Sequence, residues 1–313
     1  MKSKALFCLA FLCLMPALLF SGCLQTSPKN DHKMKKFRIL TPEEELVILH
    51  KGTEKPFTGE YCDHKAEGIY LCKQCGAPLY TSAQKFQSHC GWPSFDDEIE
   101  GAVARIPDAD GHRTEITCRS CGGHLGHVFT GEGFTPKNTR HCVNSISLDF
   151  APTETAYFAS GCFWGTEYHF EKAPGVLLTD VGYMGGTTRN PTYKQVCTGT
   201  TGHLETVKVI FDTRKTDFDT LARLFFETHD FSQTDGQGPD IGSQYLSAVF
   251  VQSPAQKETI QALIRQLAQM NYHVATEVRA DAPFWPAEDY HQNYYSHKNG
   301  TPYCHIYRKI FDK

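Results

Sequence analysis

Two Cys-x-x-Cys pairs, Cys72-Lys73-Gln74-Cys75 and Cys118-Arg119-Ser120-Cys121, constrain this chain more than any other feature. Each lies beside the end of an expected strand and is followed by a glycine, Gly76 or Gly122, and the spacing is that of a four-thiolate zinc site. Metal can bind such a site only when both knuckles meet, so the chain between them is expected to close into one small domain. All four positions around the metal are filled, so the expected zinc, one per chain, is structural and does no chemistry. In an oxidising compartment the same cysteines could instead close as disulfides.

The first residues point to such a compartment. Met1–Lys4 is a short basic start, residues 5–20 form an apolar run, and Ser21-Gly22 places small residues before Cys23. Residues 1–22 read as a secretory signal peptide, too short for a comfortable transmembrane helix. A cysteine directly after Phe20-Ser21-Gly22 resembles a bacterial lipobox, so Cys23 is expected to be lipidated; a cleaved signal with an incidental cysteine is the alternative. Residues 23–36 then supply the anchor and a polar tether, and the expected location is the bacterial cell envelope, on a membrane. A net charge of −4 without a long basic run leaves no footprint for nucleic acid, and mixed charges favour a neutral, small or peptide-borne substrate.

Two domains are expected, at 37–150 and 156–313, joined by a linker at Ala151-Pro152-Thr153-Glu154-Thr155. The first begins with a helix signalled by the capping box of Thr41 and Glu44, with Pro42 at the first position. Strands are then expected at Gly68–Cys72, Pro78–Ser82, Ala102–Ile106, Arg113–Cys118, His124–Phe129 and Cys142–Phe150, a mostly antiparallel β domain. In the second, strands at Ala156–Ser160, Val176–Val181, Thr206–Phe211 and Leu246–Val251 alternate with helices at Phe163–Glu171 and Phe218–Thr228. That order, β-α-β-β-α-β, is the α+β, ferredoxin-like split arrangement. A last helix, Pro254–Met270, presents Ile260, Leu263, Ile264, Leu267 and Met270 as a core stripe.

Six of the 13 cysteines remain beyond the knuckles and the N-terminal segment: Cys62, Cys90, Cys142, Cys162, Cys197 and Cys304. A thiol becomes a nucleophile where its thiolate is favoured. Cys162, in Gly161-Cys162-Phe163-Trp164-Gly165, stands at a predicted helix start, where the dipole favours negative charge. Cys142, in Arg140-His141-Cys142-Val143-Asn144-Ser145, shares strand parity with Arg140 and Asn144.

Those motifs carry a resemblance. Residues 37–150 resemble methionine sulfoxide reductase B through the two knuckles, His89–Phe95, His124-Leu125-Gly126-His127-Val128-Phe129 and Arg140–Ser145. Residues 156–313 resemble methionine sulfoxide reductase A through Gly161–Gly165, Gly182-Tyr183, Asn190–Tyr193, Gly202–Glu205, Gln237–Tyr245 and Glu288-Asp289-Tyr290-His291-Gln292. The resemblance implies an oxidoreductase that returns methionine sulfoxide in peptides to methionine, R epimer in the first half and S in the second. It implies a thiolate that attacks the sulfoxide, a sulfenic acid, an intramolecular disulfide, a thioredoxin-like dithiol as reductant, and no organic cofactor.

By the same resemblance Cys162 is the second half's nucleophile, Phe163 and Trp164 wall a methyl pocket, and Glu205 protonates the oxygen. Tyr193, Asp240 and Tyr245 hydrogen-bond around it, and Cys304 on a mobile tail resolves the sulfenic acid, with Cys197 buried and inert. In the first half Cys142 is the nucleophile, Trp92 the methyl platform, His127 the acid and His124 its neighbour. Arg140 and Asn144 favour the thiolate there, and Cys90 resolves, with Cys62 a competitor. From the residues alone Trp92 and Trp164 could be core, Glu205 a solvated charge and both histidines structural. Cys62 and Thr130-Gly131-Glu132 depart from the commoner B pattern, which puts contacts from the latter loop in doubt. Two other readings explain the cysteines and the anchor: an oxidant-sensing thiol module, or an enzyme with one half decayed to a scaffold.

Overall fold

The capping box forms as read. In the computed structural model, which describes residues 37–311, helix α1 (Pro42–Ile48) begins with Thr41 Oγ1 accepting from Glu44 N at 3.3 Å and Glu44 Oε2 accepting from Thr41 N at 2.8 Å. The expected signal peptide, Cys23 and the tether lie outside the described residues. Among the described residues no helix is long and apolar enough to cross a membrane.

Eight strands follow: β1 (Gly68–Cys72), β2 (Pro78–Thr81), β3 (Lys85–Phe86), β4 (Ser94–Phe95), β5 (Val103–Pro107), β6 (Thr114–Cys118), β7 (His124–Thr130) and β8 (Thr139–Val143). Six of them make an antiparallel sheet in the order β3-β4-β8-β7-β6-β5. The expected single strand Cys142–Phe150 is broken. β8 ends at Val143, a 3₁₀ turn takes Ser145–Ser147, and a new strand, β9, runs from Leu148 to Ser160. The break has a local cause: Ser145 N donates to Glu54 Oε2 at 2.8 Å and Ser145 Oγ accepts from Tyr61 N at 2.8 Å, bonds made outside any ladder.

The remaining elements are α2 (Phe163–Phe170), β10 (Val176–Met184), α3 (Tyr193–Val196), β11 (Leu204–Asp212), α4 (Phe218–Thr228), β12 (Gly236–Gln237), β13 (Asp240–Ile241), β14 (Ser247–Val251), α5 (Pro254–Gln269), β15 (Glu277–Ala280), β16 (Phe284–Pro286) and α6 (Tyr294–Lys298). The main sheet runs β15-β14-β9-β11-β10-β16, antiparallel except for β14 with β15. Alternation along β9 sends Ala156 and Phe158 to the helix-covered core with Phe163, Phe170, Phe225 and Ile260, and Ala159 to the other face with Met184 and Phe250. Ile260, Leu263 and Leu267 of the expected stripe are buried, whereas Met270 is exposed beyond the helix end. β14 is not the final strand, because β15 and β16 extend both edges.

The expected linker at 151–155 is the middle of β9. Its N-terminal part pairs with β1, from Cys72↔Leu148 to Gly68↔Pro152, and its C-terminal part pairs with β11 and β14. Every linker residue thus has a ladder partner in β1 or β11. Ala151 is fully buried there, in a cluster of Ile69 and Leu71 with Ile99, Leu177, Leu178 and Ile210 that draws on both halves. Residues 37–311 accordingly belong to one compact unit. Ala151→Lys, which buries an unpaired charge, is expected to cost on the order of 3 kcal/mol and to lower the melting of both halves together. Scanning calorimetry checks this, and two separate transitions in the parent protein would argue against a shared strand.

Candidate active sites and the thiolate cluster

Cys142 occupies a central strand, and its neighbours follow from register. Ser94 of β4 lies opposite it on one side and His127 of β7 on the other, so the three share one face. In an unbroken strand His124 and His127, three apart, point to opposite faces. Here β7 bulges at Leu125, pairing Gly126 with Ile116 and His124 with Thr117, and the two rings come to 5.6 Å. Gly126 has φ +154, and a Cβ on it would run into the Cys142 carbonyl oxygen, so only glycine fits between the histidines.

Each histidine has a carboxylate. His127 Nε2 meets Asp108 Oδ2 at 2.6 Å; His124 Nδ1 meets Glu115 Oε1 at 2.7 Å, and Glu115 Oε2 also accepts from Lys51 at 2.7 Å. Burial lowers the pKa of His124 despite Glu115, and its Nε2 is buried without a protein partner. The Sγ atoms of Cys142 and Cys90 are 3.8 Å apart, against about 2.05 Å in a disulfide, so modest side-chain motion joins them. Beside them Trp92, Gly126, His127, Phe129, Cys142 and Asn144 line an apolar pocket of about 120 Å³ with Thr53 and Arg113 at its polar side.

Arg140 acts on Cys142 as expected, whereas Asn144 does not. Asn144 lines the pocket, but its amide serves the backbone, accepting from Glu54 N at 2.9 Å and donating to Leu125 O at 3.1 Å. Arg140 Nη1 donates to Cys90 Sγ at 3.3 Å, and the same guanidinium, by charge and by hydrogen bonding, favours the Cys142 thiolate against the larger effects of Cys90 and burial. The Cys142 hydrogen bond first, aided by Ser88 and Ser94, pulls Cys90 down to about 4 against the effect of burial; the same contact and burial push Cys142 up. The two sulfurs thus titrate as a pair that shares one proton. Cys62 Sγ lies 3.2 Å from Gly91 O, a neighbour of this pair.

In the second half Cys162 is the N-cap of α2, as its motif implied. Gly161 before it has φ +93, and a Cβ there would collide with Gln237. Glu205 of β11 is buried and accepts from Phe163 N at 3.0 Å. Burial raises Glu205 to about 8, partly offset by that bond and reinforced by Asp240; burial and then Glu205 push Cys162 up. Tyr193 and Tyr245, half-buried, feel the Glu205 charge and each other.

Four expectations change here. The Phe163 ring is 1 % exposed and packs in the core, so what it offers the site is its N–H. Trp164 remains half-buried, stacked on Tyr294 at 3.7 Å and donating to His291 Nδ1 at 3.1 Å. The hydrogen bonding of Asp240 goes to Tyr303, from whose hydroxyl it accepts across both carboxylate oxygens at 2.9 and 3.0 Å, while its charge reaches Cys304, Cys162 and Glu205. Cys197 is exposed, not buried, at the end of α3. Nor is the C-terminal segment free: His305, next to Cys304, is buried with Nε2 2.7 Å from Ser160 O, and Ile310 and Phe311 enter the core.

The four knuckle cysteines meet in one cluster, every Sγ within 4.8 Å of the others, with Cys72–Cys121 and Cys75–Cys118 at 3.6 Å. Sulfurs bound tetrahedrally at 2.3 Å to zinc are about 3.8 Å apart, so the cluster fits a metal and not two disulfides.

Residues 40–152 match the SelR domain, and residues 154–313, just over half of the chain, match the peptide methionine sulfoxide reductase family. The chain belongs to the peptide methionine sulfoxide reductase family. Rice peptide methionine sulfoxide reductase B5 is 56% identical over 133 residues, which is 42% of this chain and 96% of the relative. The MsrA of Klebsiella pneumoniae (strain 342) is 44% identical over 179 residues, 55% of this chain and 84% of the relative. The chloroplastic B3 protein of rice is 62% identical over 115 residues, 36% of this chain, and the chain spans 50% of that relative's length. The chain therefore joins a half similar to the B-type relatives to a half similar to the A-type relatives.

Reading the sequence missed Glu54, Asp108, Glu115, Glu132, Tyr294 and Tyr303. Nothing local distinguishes these from surface charges and rings; each acts through a partner that only the folded chain brings to it. His291 lay inside a motif already singled out. Between about pH 4.5 and 8 Glu205 is neutral when folded and ionised when unfolded, so its contribution to stability falls as pH rises across that range. Glu205→Gln is expected to abolish that loss, gaining on the order of 3 kcal/mol over the parent at pH 8 relative to pH 5. Urea denaturation of both proteins at the two pH values measures it.

Proposed function

We propose that this protein reduces both epimers of methionine sulfoxide in oxidised proteins or peptides, R in the first half and S in the second. The observation that carries it is the Cys142–Cys90 pair, 3.8 Å apart at an apolar pocket bounded by Trp92 and His127. The pocket suits an S-methyl group. The Cys142 sulfur bonds to the sulfoxide sulfur, the oxygen takes a proton and passes to the cysteine as sulfenic acid, and methionine leaves. His127, held by Asp108, supplies the proton; in the second half Glu205, neutral near pH 7, does the same for Cys162. Cys90 or Cys304 then displaces water to form a disulfide, and a thioredoxin-like dithiol reduces it.

The four thiolates are read as holding one structural zinc, which when bound ties the β1 turn to the β6 turn. The order β14-β9-β11-β10, with α2 and α4 as crossovers, supports a ferredoxin-like reading of the second half. The lipobox-like Cys23 supports an envelope-anchored enzyme that repairs exported proteins.

In the full chain with dithiothreitol, Cys142→Ser is expected to abolish turnover of the R epimer of a blocked methionine sulfoxide and spare S; Cys162→Ser does the reverse. Loss of both epimers in either variant, or of neither, refutes the two-site assignment. Purified protein is expected to hold about one zinc per chain. Cys75→Ser or strong chelation removes it and lowers the melting temperature, whereas metal-free protein of unchanged stability would count against the zinc.

A further inference from the structure

The loop between β7 and β8 departs from the commoner B-type pattern, and it lies over the Arg140–Cys90 contact. Gly131 (φ +86) and Gly133 (φ +72) let the chain turn, and Asn138 closes it, its carbonyl accepting from Gly131 N at 3.1 Å and its Oδ1 from Gly133 N at 2.8 Å. Between the glycines, Glu132 accepts from Arg140 Nε at 2.7 Å and from Nη2 at 2.8 Å. Phe129 lies 4.6 Å and Phe134 5.9 Å from the guanidinium carbon. With one edge of the fork bound to the carboxylate, the remaining nitrogen, Nη1, meets Cys90 Sγ at 3.3 Å. The guanidinium is thus fixed in orientation, and its residue is 7 % exposed.

We propose that Glu132 is a positioning residue for disulfide closure: it holds Arg140 so that Cys90 carries the negative charge when Cys142 becomes a sulfenic acid. The inference rests on the reading of Cys142 and Cys90 as nucleophile and resolving thiol. The Cys90 thiolate attacks Cys142 Sγ, the S–S bond forms as the S–O bond breaks, and the departing hydroxide takes a proton and leaves as water. The oxidising equivalent comes from the sulfoxide, so no further oxidant is needed. The groups against Cys90 Sγ are Arg140 and Cys142 from β8, the hydroxyls of Ser88 and Ser94 from its own loop and β4, and the Trp92 carbonyl. Arg140 is the one permanent cation among them and bears on Cys142 as well, so its orientation weights the charge between the two sulfurs, and once Cys142 is a sulfenic acid Cys90 is the thiolate left for it to hold.

Glu132 also opposes Arg140 electrostatically, and this separates orientation from charge. If orientation matters, Glu132→Gln frees the guanidinium and weakens the thiolate; if only net charge matters, the variant strengthens it. The test uses the reduced, zinc-replete full chain with the R epimer of blocked methionine sulfoxide, rapid quenching with an alkylating agent, and peptide mass spectrometry. Glu132→Gln is expected to slow disulfide closure roughly tenfold more than methionine release, so that Cys142 sulfenic acid accumulates. It is also expected to move the midpoint of Cys90 alkylation to higher pH, with Glu132→Asp recovering part of both effects. Closure at the parent rate, or a midpoint unchanged or lower in pH, overturns the inference. A disulfide to Cys142 that still forms in Cys90→Ser overturns instead the underlying pair. Parent-like zinc content and circular dichroism show that the variant is folded.

Discussion

The ladder along β9 holds this molecule together. Its thirteen residues are bonded to β1 over the first part and to β11 and β14 over the rest, so both halves share one backbone element. The strand starts six positions after Cys142 and ends two before Cys162, which fixes both sites to one rod. Thirteen residues at about 3.3 Å each give the strand a span of roughly 40 Å.

Much of the fold was readable because local rules sufficed. The capping box at Thr41 and Glu44, the strand Gly68–Cys72 and the helix Phe218–Thr228 appear with the expected bounds, each with strong periodicity or cap chemistry. The linker was misread because Pro152 and a polar Thr153-Glu154-Thr155 look like loop composition, whereas pairing with distant strands decides their state. The two-residue strands β3, β4, β12 and β13 carry too few side chains to show any period. At the sites the thiols and Glu205 were legible from motifs, but the direction of a side chain was not. Arg140 has the parity expected beside Cys142 and acts on it, and it meets Cys90 as well, because the loop carrying Glu132 takes the other edge of its guanidinium.

The two halves treat their thiols differently. In the first, a cation and two hydroxyls surround a sulfur pair, and negative charge is stabilised before any substrate arrives. In the second, burial keeps both Cys162 and Glu205 protonated, so under the proposed roles the acid's proton is stored beside the thiol. That arrangement suits a reaction in which thiol and acid exchange protons only once substrate fills the space between them.

The shared strand also imposes an order of assembly. A chain that emerges N-terminus first makes β1 and its near partner β2 long before β1's other partner, since Gly68 waits for Pro152. When β9 arrives it completes the first half by one part of its length and presents the rest, already extended and held at one end, as a template on which β11 and β14 can dock. The later half of the chain thus inherits its central strand from the earlier one.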